Sequence, residues 1–582
     1  MIPAISLAMI VRNEAKYLTA CLNSVHRLVD EIVIVDTGST DRTVEIAKQF
    51  SDRIFSFPWK GDFSAARNYA LDQCNGDWIL SLDADEQLAE NSGDLHGVII
   101  QHPEYEAFFL PLHNQRTPSA GDYDRCAVLR LFRNTPFYRY SGIIHEQVVL
   151  AKPEAVGTAP GPVIIHQLVL PRERNSKRGR NLALLKKALA DQPENCFLQY
   201  YLGVEWMGLG QFSKALPYFQ QTRRRLPEEH LLFRAPAVRH TITCLSALNR
   251  WQDACCVCRE EILRYPAYTD LFFDYGVVLL IMGDYRASLE YFQKALDSGC
   301  PSAVFSHTNG TDSFLALYHA GECHEKLGQF QNAQILYQQA LTANPDFVYP
   351  LCNLFFLGLA AEGASRSFNR FRSVGCLENK QWRSILAQLF FISGYAELAL
   401  SCLEGDEYLP EGDSDLSLVR CLVYCGRGEQ ALAVLNKLKK AAMELSAAGH
   451  TYQFIAQLFA GQYREAKNTA LSLWRQAENR SAAWALLSLI SRCSGGEYYR
   501  GVEKFRETEA ARVLLNVAAN CLRAGSGRDG AMFRRLAAEA LDLVSGMSPA
   551  GARLTVEFWR KQGNDVEELM NIQYLPARSL YV

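Results

Sequence analysis

The sequence predicts an α/β domain with a mostly parallel sheet, followed by an all-α array of helical repeats. Two observations lead to this expectation. Strand-like apolar runs alternate with amphipathic helical segments four times before Glu86, and strand signals vanish from Asn181 onward, where a pattern of small and aromatic residues recurs. Alternating strands and helices favour parallel strands joined by right-handed crossovers. A recurring pattern of this length is typical of stacked helix pairs.

The composition is that of a soluble globular protein, with 582 residues, 48% hydrophobic and 21% charged. The formal net charge is −3 and there is no long basic block, so we expect no nucleic-acid partner. Seventeen scattered cysteines favour reduced thiols over a disulfide framework. We see neither a signal-peptide pattern nor an apolar run long enough for a transmembrane segment, and therefore expect a cytoplasmic protein.

The first two strands are each followed by polar residues. Ile5–Val11 is the first apolar run, and Asn13 beyond it can cap a helix. The second strand is Glu31–Val35, after which Ser39 or Thr40 can cap the next helix. Both connections are therefore predicted as short strand-to-helix turns.

Two more strands complete the alternation. Arg53–Phe57 is a short strand, Ser64 opens a helix, and the apolar run from Trp78 leads to Asp83 and Asp85. Residues two apart on a strand point to the same side, so these two carboxylates can converge. Carboxylates this close repel each other unless a cation relieves them, and Mg²⁺ or Mn²⁺ suits oxygen ligands. The alternative is a strand end followed by an acidic turn.

Polar clusters follow three of the predicted strands, at Arg12–Glu14, Asp36–Asp41 and Asp83–Asp85. In parallel sheets ligands bind outside the carboxyl ends of the strands, where these clusters would meet. The chain lacks Gly-x-Gly-x-x-Gly and Walker-type loops, which disfavours a dinucleotide or P-loop site. Farther along, Ala107–Leu112 and Cys126–Phe132 read as strands. The loop between them is either a mobile lid or a surface connection.

Four motifs, in this order and spacing, resemble the family-2 glycosyltransferases with the Rossmann-like GT-A fold. They are Met9–Glu14, Val35–Asp41, Ala66–Asn68 and Gly76–Glu86, and the resemblance covers roughly residues 4–170. It implies a nucleotide-sugar donor, a divalent metal and inversion at the anomeric carbon.

The resemblance also implies residue roles. Asp36 matches the acid that recognises the nucleobase, with Arg12 and Glu14 in the same pocket, and Arg67 matches a basic residue near the diphosphate. Asp83 matches a position toward the ribose or the metal, whereas Asp85 matches the metal ligand. His166, after the apolar run Val163–Ile165, matches a histidine that completes the metal shell; its alternative is an ordinary strand-end histidine. For Asp36 and Asp41 the alternative is helix capping.

The segment Tyr140–Gln147 is similar to one found in relatives that fuse this domain to helical repeats. An inverting transfer needs a base for the acceptor proton, worth about 10²–10⁴ in rate. Glu146 is the favoured base, with His145 as a second candidate or an acceptor-site contact. A salt-bridged structural pair is the alternative.

The remainder resembles tetratricopeptide repeats. The predicted domains are 1–170 (catalytic), 171–192 (basic connector and first helix), 193–360 (tetratricopeptide repeats) and 361–582 (degenerate helical repeats). Small residues such as Gly203, Gly276 and Gly321 would let helices approach closely while aromatics fill the gaps. The basic stretch Pro171–Arg180 is a solvated connector or a diphosphate contact. Cys255–Cys258 lacks a second ligand pair, so packing is favoured over zinc.

This combination resembles bacterial peptide and protein glycosyltransferases, including the bacteriocin S-glycosyltransferases. It implies transfer of a hexose from a UDP-linked donor to a peptide or protein acceptor, with the repeat arm recruiting the acceptor or forming a homodimer. Two alternatives stay open. One is a lipid-linked or surface saccharide acceptor, and the other is a non-catalytic nucleotide-binding scaffold.

Overall fold

The computed structural model describes residues 2–117, 121–150, 152–167, 171–403, 416–440, 445–493, 507–524 and 530–545. The chain divides into two compact units, of which the first runs to Phe347 and the second begins at Val348. The first unit holds the sheet and the first helical repeats together, so the candidate site can be described within one compact body.

The sheet domain contains twelve strands whose bounds follow the apolar runs of the sequence. They are β1 (Ile5–Val11), β2 (Glu31–Asp36), β3 (Ile54–Ser56), β4 (Trp78–Ser81), β5 (Glu86–Leu88), β6 (Ala107–Gln115), β7 (Tyr123–Arg133), β8 (Tyr140–Ser141), β9 (Gln147–Val148), β10 (Val156–Thr158), β11 (Ile164–His166) and β12 (His307–Thr308).

The main sheet has the order β3-β2-β1-β4-β7-β6-β11-β5. The first four strands are parallel, as predicted, whereas β7 is antiparallel to both β4 and β6. The loop predicted over 113–125 is wrong at both ends, because β6 continues to Gln115 and β7 begins at Tyr123. Ladder pairing such as His113↔Arg125 extends the hairpin, so polar side chains there lie on strands.

Helices α1 (Leu18–Val25), α2 (Thr43–Ala47), α3 (Phe63–Asp72) and α4 (Leu95–Gln101) accompany the sheet. The buried face of α1 packs on β1 and β4 in one apolar cluster that includes Leu22, Met9 and Leu80. This packing is what the helical spacing of apolar residues predicts.

The predicted caps of α1 and α2 are wrong. Asn13 has φ 56°, and its side chain accepts a hydrogen bond from the backbone N–H of Thr40 (2.7 Å), while α1 begins five residues later. Similarly, Asp41 accepts from the backbone N–H of Thr43 (3.0 Å), in place of Ser39 or Thr40. These polar residues therefore bind the two strand-end loops to each other.

The helical part of the first unit begins at Pro171. Its helices are α5 (Pro171–Asp191), α6 (Cys196–Gly208), α7 (Phe212–Arg225), α8 (Leu231–Ala247), α9 (Trp251–Arg264), α10 (Thr269–Met282), α11 (Tyr285–Ser298), α12 (Phe314–Lys326) and α13 (Phe330–Ala343). The stretch Pro171–Arg180, expected to be a solvated connector or a diphosphate contact, is the first half of α5.

Close approach of paired helices depends on glycine. A Cβ on Gly203 would lie 2.8 Å from the Phe219 ring, and one on Gly276 would lie 2.7 Å from Phe292. A Cβ on Gly321 would likewise lie too close to the Tyr337 ring. The predicted pairing of small and aromatic residues is therefore observed in three helix pairs, α6–α7, α10–α11 and α12–α13.

Strand β12 lies within the helical part, where no strand was predicted. β12, between α11 and α12, pairs antiparallel with β7 through His307↔Arg125 and Thr308↔Asp124. The Thr308 hydroxyl donates to Asp124 (2.7 Å) and accepts from Arg239 of α8 (3.0 Å). Two residues are too short for an alternating pattern, which is why the sequence gives no strand signal here.

The second unit is helical throughout its described parts. Its helices are α14 (Tyr349–Glu362), α15 (Ala364–Ser373), α16 (Lys380–Ile392), α17 (Ala396–Leu403), α18 (Ser417–Tyr424), α19 (Gly428–Lys440), α20 (Ala447–Phe459), α21 (Tyr463–Trp474), α22 (Arg480–Cys493), α23 (Glu507–Ala524) and α24 (Gly530–Ser545). Within the described ranges, every helix is too short or too polar to cross a bilayer.

Candidate active site

The carboxyl ends of β1, β2 and β4 lie side by side at one edge of the sheet. Val11 pairs with Asp36, and β4 lies on the other side of β1. The Asp36 carboxylate accepts from the backbone N–H groups of Gly38 (3.2 Å) and Ser39 (3.1 Å), so it shapes its own turn. Arg12 is exposed beside it. Among the described residues, neither side chain bonds to Asp83 or Asp85.

Asp83 and Asp85 differ from the predicted arrangement. β4 ends at Ser81, and a turn follows in which the N–H of Glu86 donates to the carbonyl of Asp83 (3.0 Å). The prediction that both carboxylates share one side of a strand is therefore wrong. The turn directs them to different partners.

Asp83 is the centre of an ion network. Its Oδ1 accepts from Arg67 Nη2 (2.6 Å) and its Oδ2 from Arg130 Nη2 (2.8 Å). Arg67 also donates through Nε to Glu146 Oε1, and Arg130 donates to Glu86 Oε1 (2.5 Å). Three carboxylates and two guanidinium groups thus form one connected cluster beneath the strand ends.

Burial and ion pairing shift the pKa values of the carboxyl groups in this cluster in opposite directions. Burial alone would raise the pKa of Asp83, but the charges of Arg67 and Arg130 outweigh it and hold that pKa well below its usual range. Burial raises the pKa of Glu86, and Arg130 offsets only part of this rise. Asp83 is therefore a stable anion whose two oxygens are already satisfied by the protein.

Asp85 makes longer ion contacts than Asp83, although its side chain is less exposed. Its Oδ2 lies 3.6 Å from Nε2 of His166 and 3.4 Å from Nζ of Lys177, which also lies 3.3 Å from Glu14. Pairing of β11 with β5 brings His166 here, opposite Glu86. Burial raises the pKa of Asp85, but His166 outweighs it and the net pKa is lowered. The structure therefore brings the predicted residues Glu14, Asp85 and His166 together.

The donor set suits a divalent ion. A carboxylate and an imidazole 3.6 Å apart lie within reach of one ion, and Mn²⁺ and Mg²⁺ accept such ligands with water completing the shell. Asp83 fits this role less well, since both its oxygens accept from arginines. The residues present thus point to Asp85 and His166 as the protein ligands.

The segment before β9 places the two predicted catalytic residues differently. Glu146 contacts Arg67 through Oε1, and no hydrogen bond to its Oε2 occurs among the described residues. His145 has φ 48°, and its ring stacks on Tyr201 of α6 with centroids 3.8 Å apart. Its Nε2 lies 3.6 Å from Oε1 of Glu205, also on α6.

Glu205 is itself held in place. Its carboxylate accepts from Asn181 (2.8 Å) and Arg178 (3.0 Å) of α5. Burial raises the pKa of Glu205, but hydrogen bonds from His145 and Asn181 outweigh it and lower the net value. The first repeat therefore fixes the backbone turn that carries both candidate catalytic residues.

Sequence reasoning missed four site residues: Arg130, Glu86, Lys177 and Glu205. Arg130 had a local signal, because a lone arginine interrupts the apolar pattern of Cys126–Phe132. Glu86 lies within the motif Gly76–Glu86 and accepts from the backbone N–H of Asp83 (2.9 Å), and Lys177 lies within Pro171–Arg180, but neither residue was singled out. Glu205 depends on contacts between distant elements, to which neighbouring sequence gives no clue.

A parallel sheet with acidic groups at its strand ends, followed by stacked helix pairs, defines a transferase-like α/β domain with a repeat arm. Residues 6–96 match the profile of glycosyl transferase family 2, and residues 269–298 and 314–347 match tetratricopeptide repeat profiles. The chain thus carries a family 2 glycosyltransferase domain followed by tetratricopeptide repeats.

Several known proteins are similar to parts of this chain. A TPR repeat-containing protein of Synechococcus elongatus is 38% identical over 260 residues, which are 43% of this chain and 62% of that protein. The SPbeta prophage-derived glycosyltransferase SunS of Bacillus subtilis is 27% identical over 325 residues, 53% of this chain and 74% of that one. The crystal structure of MamA has 19% identity and a TM-score of 0.25, covering 31% of this chain and 96% of MamA.

Proposed function

We propose that this protein is an inverting glycosyltransferase that moves a hexose from a UDP-linked donor to a peptide or protein acceptor. The observation that carries the proposal is the Asp85–His166 pair beside the buried Asp83 network, at the strand edge of a family 2 domain. A scaffold that no longer binds donor would have no need for a charged cluster of this kind.

The donor would lie across the carboxyl ends of β1, β2 and β4. Asp36 and Arg12 would contact the nucleoside, whereas Lys177 of α5, which lies near Asp85 and Glu14, would reach the diphosphate. Asp85 and His166 would hold a divalent ion, which when bound supplies Lewis-acid stabilisation to the departing diphosphate. Asp83 would act on the ribose side and keep Arg67 in place.

Glu146 is the proposed base. Its Oε1 is fixed by Arg67, which orients Oε2 to take the acceptor proton as the new glycosidic bond forms. His145, stacked on Tyr201 and backed by Glu205, would contact the acceptor. Repeats stack into extended concave surfaces, so the arm is suited to hold a polypeptide near this turn.

The test is nucleotide release by the full-length protein from a panel of UDP- and GDP-sugars, with Mn²⁺ or with chelator. We expect metal-dependent release of one nucleotide, and transfer to a peptide library in the presence of that donor. Asp85→Ala should abolish both release and metal-dependent UDP binding, because one of two protein ligands is lost. Asp52→Ala, an exposed aspartate away from the strand ends, is the matched control.

Two outcomes would contradict the proposal. Nucleotide release that continues unchanged in chelator would exclude a role for the metal ion. Absence of UDP binding in titrations would exclude a UDP-linked donor. Transfer to a saccharide lipid in preference to every peptide would replace the acceptor while leaving the donor assignment intact.

A further inference from the structure

Three potential metal ligands from a single connection converge where the repeats meet the sheet. Cys300, His307 and Asp312 each place one donor atom within 4.8 Å of the other two. The connection runs from the end of α11 through β12 to the start of α12. It is fixed by Arg125 of β7, which donates to the carbonyl of Pro301 (3.0 Å).

The orientation of the His307 ring favours the binding of a cation at its Nε2. Its Nδ1 lies 2.9 Å from Oδ2 of the buried Asp270, and its Nε2 faces Oδ1 of Asp312 at 3.7 Å. When Nδ1 donates its proton to Asp270, Nε2 of a neutral ring presents a lone pair to a carboxylate. A carboxylate that orients the far nitrogen is the usual arrangement behind a metal-bound histidine.

The surrounding charges are predominantly negative. Asp270 and Asp274 both pair with Arg239, and Asp124 lies on the adjoining strand β7. Arg116 and Arg125 of the same hairpin add positive charge, but Arg116 is shared between Asp122 and Asp124. Five aspartates and three arginines therefore surround the cluster. A divalent cation would offset this excess of negative charge.

We propose that Cys300, His307 and Asp312 form a zinc site that fastens the repeat arm to the sheet domain. Thiolate, imidazole and carboxylate are the ligands zinc prefers, with separations of about 3.3–3.7 Å around a tetrahedral ion. The His307–Asp312 distance already fits, and the exposed Cys300 side chain needs a rotation to join them. Water would complete the fourth position.

This site differs in chemistry from the donor site. Asp85 and His166 offer no thiolate, whereas a zinc ion here would have sulfur in its shell. The ion would join Cys300 and Asp312, which lie on either side of β12 in this connection. It would thereby hold β12 in its pairing with β7. The sequence signal was hidden, because the three ligands are spaced irregularly and match no short zinc motif.

The test uses the full-length protein after removal of metals by chelator, titrated with Co²⁺ and, separately, with Zn²⁺. We expect a near-ultraviolet thiolate-to-cobalt absorption band and one tightly retained zinc ion per chain after dialysis. Cys300→Ser should abolish the band, and Asp312→Asn should weaken zinc binding at least about tenfold. Both positions are at the edge of the cluster, so the buried His307 is left in place.

Matched variants separate this site from others. Cys256→Ser alters an exposed cysteine on α9 and should leave the band and the zinc stoichiometry unchanged. Asp85→Ala should also keep the band, since it affects the donor site only. The proposal is overturned if wild-type protein gives no thiolate band, or if Cys300→Ser gives the same band and the same zinc content. Either result would make His307 and Asp312 a simple ion pair.

Discussion

At the residue scale, two acidic side chains near each other in sequence have separate tasks. Asp83 is neutralised by Arg67 and Arg130, and removal of one partner would leave buried charges unpaired. Among the described residues, Asp85 pairs with His166 and Lys177. The first carboxylate is thus neutralised within the protein, whereas the second is the proposed metal ligand.

The assignment of Glu146 as base predicts the behaviour of an isosteric variant. Glu146→Gln keeps an oxygen for Arg67 but cannot take a proton, so transfer should fall about 10²–10⁴-fold. UDP binding should change little, because the amide preserves the contact that holds Arg67. Steady-state transfer rates and UDP titration measure the two effects separately.

The rival base is His145, and the same assay decides between them. Glu205→Gln removes the carboxylate behind His145 and should lower transfer only modestly if Glu146 is the base. A larger loss in Glu205→Gln than in Glu146→Gln, with a shifted pH profile, would assign the base to His145. Glu104→Gln, which changes an exposed glutamate away from the site, controls for charge alone.

Local motifs were sufficient to predict some site residues but not others. Asp85 and His166 were grouped as metal ligands through the family resemblance, which assigned Glu14 to the nucleobase pocket, and the structure places all three near one another. Their spatial grouping with Lys177 could not be predicted, because it depends on how α5 crosses the strand ends. The i, i+2 argument for Asp83 and Asp85 failed because β4 ends at Ser81, before either residue.

At the element scale, the helix pairs depend on glycines that no side chain can replace. Gly276→Ala would bring a Cβ to 2.7 Å from the Phe292 ring, which lies in a fully buried position. We expect a loss of about 1–3 kcal/mol in stability, the usual cost of overpacking. Thermal unfolding, with hydrogen exchange in α10 and α11, would localise the effect.

The control for this substitution is a glycine in an open helix position. A Cβ on Gly179 of α5 would meet nothing within 4 Å. Gly179→Ala should therefore leave stability unchanged or raise it by up to about 1 kcal/mol, since alanine is the better helix former. Equal destabilisation by both substitutions would mean that the Gly276–Phe292 contact does not limit the helix pair.

Long periodic elements were predictable and short or contact-dependent ones were not. β1 and β2 were predicted almost to the residue, because continuous apolar runs of this length are buried on both faces of the sheet. α5 was missed over its first half because its polar residues have no apolar stripe there. β12 forms only through pairing with β7, so its two residues carry no pattern of their own.

At the scale of the whole molecule, the catalytic domain and the first repeats form one compact unit. Ile144, Leu182, Leu185 and Leu202 share an apolar cluster that joins the Glu146 turn to α5 and α6. A domain boundary near residue 170, drawn from the change in pattern, therefore does not separate two independent packing units. The first repeat packs against the turn that carries Glu146 and so supports the candidate site.

This coupling predicts how fragments behave. A fragment of residues 1–347 should keep the fold and bind UDP with an affinity within a few-fold of the full chain, because it contains every described residue of the first unit. A fragment of residues 1–192 should aggregate or lose UDP binding, since removal of α6 exposes Ile144 and Leu185 and leaves His145 without Tyr201 and Glu205. Circular dichroism and UDP titration on both fragments measure fold and site together. Tight UDP binding by the shorter fragment would show that the sheet domain alone holds the donor, and would restrict the role of the first repeat to the acceptor.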